Sequence, residues 1–407
     1  MFAFHRQPLK AVYLAYFLVT TVLVRLPMWT TIAAIPRLRP RRSWSFRRTL
    51  IFYAMVAFIR LFFDIGFPVS LGQNPEVIAV SSPERAGFAW AEPLAEEQIV
   101  GELKELAALA VRSAGYWFAN TPEDAGTAKK AANDEKVIMH LHSTLFQPIS
   151  WGAVMGLAHP KGGPAGPVCN GLLQHCPQVT RVFSCGYRLS SSVPFPVANP
   201  FPAGVLDSLA GYNYLIHTVG FQPQNVFICG DSAGGNLAIS LVRYLANNAL
   251  SVLSLPVPRG LILVSPSVEW GITHDGPKSS WRLNAGSDYS GPFFQGYILK
   301  SLLGNLPVDM AYTSPWISPA SLELPPSDIE HLFQGFPATF ILSGEAELAR
   351  DSIRTFNDRL CRDIGKDNVT YKELKDVTHD VVAMRFFEPE RTVALTESSC
   401  WLEKMLA

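Results

Sequence analysis

Residues 225–248 read NVFICGDSAGGNLAISLVRYLANN, and this stretch decides the fold. Its first six residues, closing on Gly230, form an uncharged run suited to a strand buried on both faces of a parallel sheet. Gly230-Asp231-Ser232-Ala233-Gly234 then satisfies G-x-S-x-G, and Gly235 leads into a helical pattern. The chemistry accounts for the residue types. A tight turn between strand and helix lifts a serine hydroxyl clear of the sheet and holds its backbone in a strained conformation. Glycines on both sides remove Cβ atoms that would collide there. The helix that follows points its N–H groups and positive end at any oxyanion formed beside the serine. Ser232 is the candidate nucleophile, and the Ala233 N–H is a candidate oxyanion donor.

Working outward, similar apolar runs stand at 137–142 (VIMHLH), 180–187 (TRVFSCGY), 260–265 (GLILVS), 338–343 (ATFILS) and 369–374 (VTYKEL). Helix-like stretches separate them. That rhythm predicts an α/β fold with a mostly parallel central sheet and helices on both faces. Gly87–Pro93 and Ala114–Asn120 are expected as edge strands, with Glu96–Val111 as an acidic amphipathic helix. Residues 267–335 carry no strong strand pattern and are expected to supply lid or pocket elements. Gly162-Gly163-Pro164 and Gly166-Pro167 read as a turn-rich loop, not a phosphate loop, because no G-K-[ST] follows.

The elbow sequence Gly230-Asp231-Ser232-Ala233-Gly234-Gly235-Asn236 resembles that of the hormone-sensitive-lipase-like esterase/lipase branch of the α/β-hydrolases. Tyr187-Arg188-Leu189, Phe195-Pro196, Phe201-Pro202-Ala203 and Asp207 resemble the same branch's Y-R-L…F-P-A…D stretch. Ser265-Pro266 and Ser314-Pro315-Trp316-Ile317-Ser318-Pro319 resemble its loops, so the likeness runs over roughly residues 85–405. It implies an α/β-hydrolase fold, hydrolysis of carboxylic esters and the chain order serine, acid, histidine. Only His274, His331 and His379 follow Ser232, and His379 stands a short loop beyond the run at 369–374, where that fold places its base. The stretch Gly344-Glu345-Ala346-Glu347-Leu348-Ala349-Arg350-Asp351 resembles the family's G-x-x-D-x-L-x-D. That maps the orienting carboxylate onto Glu347, a Glu where Asp is usual, with Glu345 and Asp351 as rivals.

One departure matters. The family carries H-G-G-G after the strand at 137–142, and two of those glycines donate N–H groups to the oxyanion. This chain has His142-Ser143-Thr144-Leu145-Phe146. The backbone donors remain, but forcing a side-chain-bearing residue to positive φ costs about 1–2 kcal/mol. Losing one donor costs about 10²–10³ in turnover. Ser143 and Thr144 are the candidate oxyanion residues, through backbone or hydroxyl. Three function classes stay open: a serine carboxylic-ester hydrolase working on an apolar ester through an acyl-enzyme; a catalytically silent relative binding a small apolar molecule or lipid; and an amidase or acyltransferase. Phe201, Trp270, Trp281, Tyr289, Phe293, Phe294 and Trp316 are candidates for an apolar pocket, with burial in the core as the alternative.

The 407 residues suffice for a full core plus an appendage; 48% are hydrophobic and 17% charged. Lys plus Arg equals Asp plus Glu at 34 each, which gives no general attraction to nucleic acid. The six cysteines are scattered, with Cys185 and Cys229 expected as buried free thiols and Cys169 and Cys176 close enough in sequence to pair. No spacing suits a metal, and neither a metal nor a cofactor is needed by the chemistry. The oligomeric state is not legible.

Residues 1–72 are expected to associate with membrane lipid, and 73–407 to form the catalytic domain. Residues 11–24 are apolar but span only about 21 Å as a helix, short of a ~30 Å hydrocarbon core. Continuing through Arg25 to Pro36 gives about 39 Å, with an arginine inside that costs roughly 2.5–3.5 kcal/mol if central. Leu50–Leu71, broken by Arg60 and Asp64, suits an interfacial helix. Six arginines between Arg37 and Arg48, with no acid among them, suit lipid headgroups. A cleaved signal peptide is the rival, although Arg25, Leu26 and Pro27 stand where small residues belong. A membrane residence is expected, the endoplasmic reticulum being one candidate. A spanning helix, a helix lying on the membrane and a buried soluble helix all remain open, as does the orientation.

Overall fold

Along the central strands, neighbouring residues pack into different cores. On Val137–Leu141, Val137, Met139 and Leu141 join one apolar cluster while Ile138 joins the other, and Leu261 and Leu263 are divided in the same way from Ile262 and Val264. This is the period of two that a sheet covered on both faces requires. The computed structural model describes residues 2–66, 87–106, 109–121, 124, 129–143, 165–248, 255–291 and 296–407. Its eight strands are β1 (Phe88–Ala91), β2 (Ser113–Ala119), β3 (Val137–Leu141), β4 (Arg181–Cys185), β5 (Val226–Asp231), β6 (Gly260–Val264), β7 (Ala338–Gly344) and β8 (Val369–Leu374). They make one sheet in the order β1-β2-β4-β3-β5-β6-β7-β8. The pairs β1–β2 and β2–β4 are antiparallel; all others are parallel. All six apolar runs and both expected outer strands are present, but β2 lies inside the sheet between β1 and β4, and the run at 369–374, expected to be central, is the edge strand β8.

The longer helices are α1 (Leu9–Ala34), α2 (Phe46–Ile65), α3 (Ala165–His175), α4 (Ala203–Asn213), α5 (Ala233–Asn247), α6 (Arg350–Ile364) and α7 (Glu390–Leu406). In α5, Ala238, Leu241, Val242 and Leu245 recur at helical spacing and bury against the sheet. Between β6 and β7, the described residues hold only short helices and loops.

Two expectations are corrected. Glu96–Val111 is not one helix: a 3₁₀ turn at Glu96–Gln98 and a single helical turn at Glu102–Glu105 flank Gly101, whose φ is +62°. The Val100 N–H goes instead to the Tyr244 hydroxyl, 2.9 Å away, so tertiary packing overrides the amphipathic pattern. Gly166-Pro167 is not loop but the first turn of α3, where a proline loses no intrahelical bond. Cys169, Cys176, Cys185 and Cys229 are all buried free thiols, so Cys169 and Cys176 do not pair.

The N-terminal helices lie on this core. α1 has 26 residues, includes an 18-residue window of mean hydropathy 1.7, and is long and apolar enough to cross a membrane. It widens to a π turn at Thr21–Arg25, with the Leu26 N–H reaching Thr21 O, just before Pro27, which has no N–H to offer. α2 begins on a Ser45 cap, whose side chain accepts the Arg48 N–H at 3.1 Å. The arginines of 37–48 divide. Arg37, Arg42 and Arg47 are exposed, whereas Arg39 bonds to Ala33 O and Trp44 O, and Arg41 and Arg48 are tied to the sheet domain. Part of the basic run therefore serves the protein itself. Arg48 grips Glu390 at 2.8 and 2.6 Å, donates to Glu388 O at 2.8 Å and lies over the Phe387 ring. Removing it strands a part-buried carboxylate and a carbonyl, so Arg48→Ala is expected to lower stability by about 2 kcal/mol. Chemical denaturation checks this; Arg48→Lys, unable to form the fork, should recover less than half of the loss.

Candidate active site

The site forms at the carboxyl ends of β5, β7 and β8, where the loops of parallel strands converge. At the end of β5 the chain turns so sharply that Ser232 takes φ +52° and ψ −118°. Hydrogen bonds hold that conformation. The Ser232 N–H donates to Val264 O at 3.0 Å, and Ser232 O accepts from Gly235, Asn236 and Ser267 at 3.0, 3.3 and 2.9 Å. The glycines are required by space: a Cβ on Gly230 would meet Gly234 O at 2.4 Å, and one on Gly234 would meet Leu141 O at 2.0 Å.

Ser232 Oγ stands 2.8 Å from His379 Nε2, and His379 Nδ1 stands 3.1 Å from Glu347 Oε2. All three side chains are buried. Glu347 Oε1 accepts from the Ser265 hydroxyl at 2.6 Å and from the Gly344 N–H. Burial alone would push His379 down, but the hydrogen bond and charge of Glu347 hold its pKa above the usual 6.5. The rivals sit elsewhere: Glu345 accepts the Asp376 N–H and Asp351 the Ser280 N–H, while His274 bonds to Glu269 and Thr355.

A family model described as the alpha/beta hydrolase fold matches residues 166–383, more than half of the chain. The chain belongs to the α/β-hydrolase family. Two curated relatives match over shorter segments. An acetyl-hydrolase from Streptomyces hygroscopicus is 37% identical over 71 residues, 17% of this chain and 22% of that one. Steryl acetyl hydrolase 1 from Saccharomyces cerevisiae is 33% identical over 78 residues, 19% of this chain and 17% of that one. The matches thus span about a fifth of each relative's length. Among solved structures, an esterase from the bacterial hormone-sensitive lipase family superposes with a TM-score of 0.53 at 20% identity, covering 87% of this chain and 98% of that one. An esterase/lipase from an uncultured bacterium gives 0.51 at 20% identity over 86% and 98%. At such identities the likeness shows the fold.

Within this α/β-hydrolase, the candidate oxyanion residues fare differently. The Ala233 N–H opens α5 and takes no acceptor among the described residues. The Ser143 N–H is already committed to Asp231 Oδ2 at 2.9 Å, which corrects its expected role as a backbone donor. Thr144 lies outside the described residues. Of the candidate pocket aromatics, Tyr289 faces the site, its ring 5.7 Å from that of His379. Phe201, Trp270 and Trp316 belong to the main core and Trp281 packs at its edge; Phe293 and Phe294 lie outside the described residues.

The sequence reading missed a second ring of polar groups. His140 Nε2 lies 2.7 Å from Asp231 Oδ1, with Cys169 Sγ 3.3 Å from its Nδ1. Burial opposes charge on His140, but Cys169 and Asp231 raise its pKa to about 10. Burial and then repulsion from Asp231 push Asp380 far above the carboxylate range. His140, Asp231 and Asp380 therefore share the space under Ser232. Their signal was adjacency, since Asp231 and Asp380 flank Ser232 and His379 in sequence. Asp288, also raised by burial, accepts the Leu348 N–H at 2.6 Å just past Glu347.

Ser265 joins the two sides of the relay, because its hydroxyl donates to Glu347 and accepts the Asp380 N–H at 3.0 Å. Ser265→Ala leaves that buried N–H without its acceptor and removes a donor from Glu347. It is expected to cost about 1–3 kcal/mol, read as a lower denaturation midpoint at unchanged m-value.

Proposed function

We propose that this protein is a serine carboxylic-ester hydrolase acting on an apolar ester, with Ser232 as nucleophile, His379 as base and Glu347 as its orienter. The observation that carries the reading is the unbroken relay Ser232 Oγ–His379 Nε2–Glu347 Oε2, at 2.8 and 3.1 Å, built on a serine held at positive φ. A retired scaffold needs neither the strain nor the alignment. As Ser232 Oγ bonds to the ester carbonyl carbon, His379 takes its proton and the carbonyl electron pair moves onto oxygen. The Ala233 N–H supplies one donor to that oxyanion. Collapse expels the alcohol, which takes the proton from His379 and leaves an acyl-enzyme. Water, deprotonated by His379, then releases the acid and restores Ser232. The acetyl-hydrolase names of both curated relatives support a short acyl group. Tyr289 beside His379 supports an apolar environment for it.

Ser232→Ala should abolish hydrolysis of short-chain nitrophenyl esters while leaving the denaturation curve intact; full turnover in the folded variant would end this reading and favour a binder or another nucleophile. The pH profile is a second test. The base acts only when neutral and its pKa is raised, so the acid limb of kcat/KM should lie above pH 6.5. Glu347→Gln removes the raising charge, so that limb should move to lower pH while kcat falls by about 10⁴. An unmoved limb would assign the titration to another group.

A further inference from the structure

The length and hydropathy of α1 suit a membrane crossing, yet both of its ends are fastened to the same domain. Before α1, the Phe2 N–H donates to Phe63 O at 2.5 Å, and the Phe2 ring packs edge-on against Tyr297 and Phe195 at 4.7 and 5.1 Å. After α1, Trp44 Nε1 donates to Asp376 O at 2.7 Å, its ring meets Phe387, and Arg41 bonds to Asn284 and Ser287. Between those anchors α1 runs antiparallel along α2. The Tyr13 hydroxyl donates to Asp64 at 2.5 Å near one end, and Trp29 stacks on Tyr53 toward the other. α2 in turn buries Phe52, Ile59 and Phe63 in the cluster shared with the sheet. A spanning helix must leave its two flanks on opposite sides of a bilayer. This one returns both to one surface.

The outward face of α1 is apolar. Leu9, Val12, Tyr16, Val19, Leu23 and Leu26 recur at intervals of three and four residues and are 44–69% exposed. Arg25, which would be costly at the centre of a span, is folded back along the helix: it donates to Phe17 O and the Thr21 hydroxyl at 3.1 and 2.9 Å and lies over the Phe17 ring. Just past the end of α1, Arg37, Arg42 and Arg47 are exposed where anionic headgroups would stand.

We infer that α1 lies in the plane of a membrane, its outer face sunk into one leaflet, with both flanks and the hydrolase domain on the same side. The occupant of this face is a lipid leaflet carrying anionic headgroups, which matches an exposed apolar stripe bordered by exposed arginines. The inference rests on the packing of the N-terminal segment and stands whether or not Ser232 is the nucleophile.

Two measurements test it. In sealed microsomes from cells making the full chain, Gln7→Cys, Arg42→Cys and Leu322→Cys variants are made in a Cys361→Ser, Cys400→Ser background. They are treated with a membrane-impermeant maleimide before and after detergent. Gln7, Arg42 and Leu322 are exposed, and stand before α1, after α1 and on the hydrolase domain. An in-plane helix gives all three the same accessibility. If Gln7 and Arg42 fall on opposite sides, α1 crosses the membrane and the inference is overturned. The second is flotation of purified protein with vesicles of phosphatidylcholine and about one-fifth phosphatidylserine. Wild type should float, and Val12→Glu, Val19→Glu, Leu23→Glu combined should reduce the bound fraction at least tenfold. Circular dichroism and the thermal midpoint should be unchanged, because these side chains already face outward. If wild type stays in solution, or the folded triple variant floats equally well, this face is not a membrane surface.

Discussion

The left-handed backbone at Ser232 is the constraint on which the rest of the site depends. A serine at φ +52° persists only because its surroundings leave it no alternative. β5 delivers it from the middle of the sheet, β6 clamps its N–H through Val264, and the first turn of α5 together with Ser267 holds its carbonyl. Gly230 and Gly234 let two pieces of backbone approach closer than any Cβ permits. Given that geometry, the hydroxyl rises toward the loops after β7 and β8, and a base and a carboxylate can reach it only from there.

Those loops are held by buried polar contacts. Glu347 is held by three partners, His379, Ser265 and the Gly344 N–H. Asp231 meets His140 Nε2 and accepts the Ser143 N–H, while burial beside Asp231 pushes the Asp380 carboxyl far above its usual range. Burying acids this close together is costly, and the contacts to His379, Ser265, His140 and the Ser143 N–H offset part of that cost. The N-terminal segment reaches the same loops. Arg41 holds Asn284, whose amide donates to Glu347 O at 2.6 Å, and Trp44 holds Asp376, whose N–H is accepted by Glu345. The connection between α1 and α2, part of the segment read as a membrane appendage, thus braces the loop that carries Glu347.

Much of this was legible in sequence because central strands and the elbow obey local rules. The runs at 137–142, 225–230 and 338–343 each fall within a residue of the observed strands. Ser232, Glu347 and His379 follow from motif and chain order, and the structure brings those three side chains together. What was not legible depends on partners far away in sequence. The pattern of Glu96–Val111 suits a helix, but Tyr244 takes the Val100 N–H and Gly101 turns the chain. The Ser143 backbone N–H was a candidate oxyanion donor, but Asp231, 88 residues on, accepts it. The arginines of 37–48 read as headgroup ligands, yet Arg48 finds Glu390 across 342 residues.

The central claim is that the geometry around Ser232 makes its hydroxyl an activated nucleophile. It is tested most directly by treating the folded full-length chain with a fluorophosphonate and mapping the adduct by peptide mass spectrometry. The account predicts one phosphonyl group per chain, carried on the peptide containing Ser232, and no adduct when His379 is replaced by alanine. A folded protein that stays unmodified while a control serine esterase is fully labelled, or an adduct on any other residue, would contradict it.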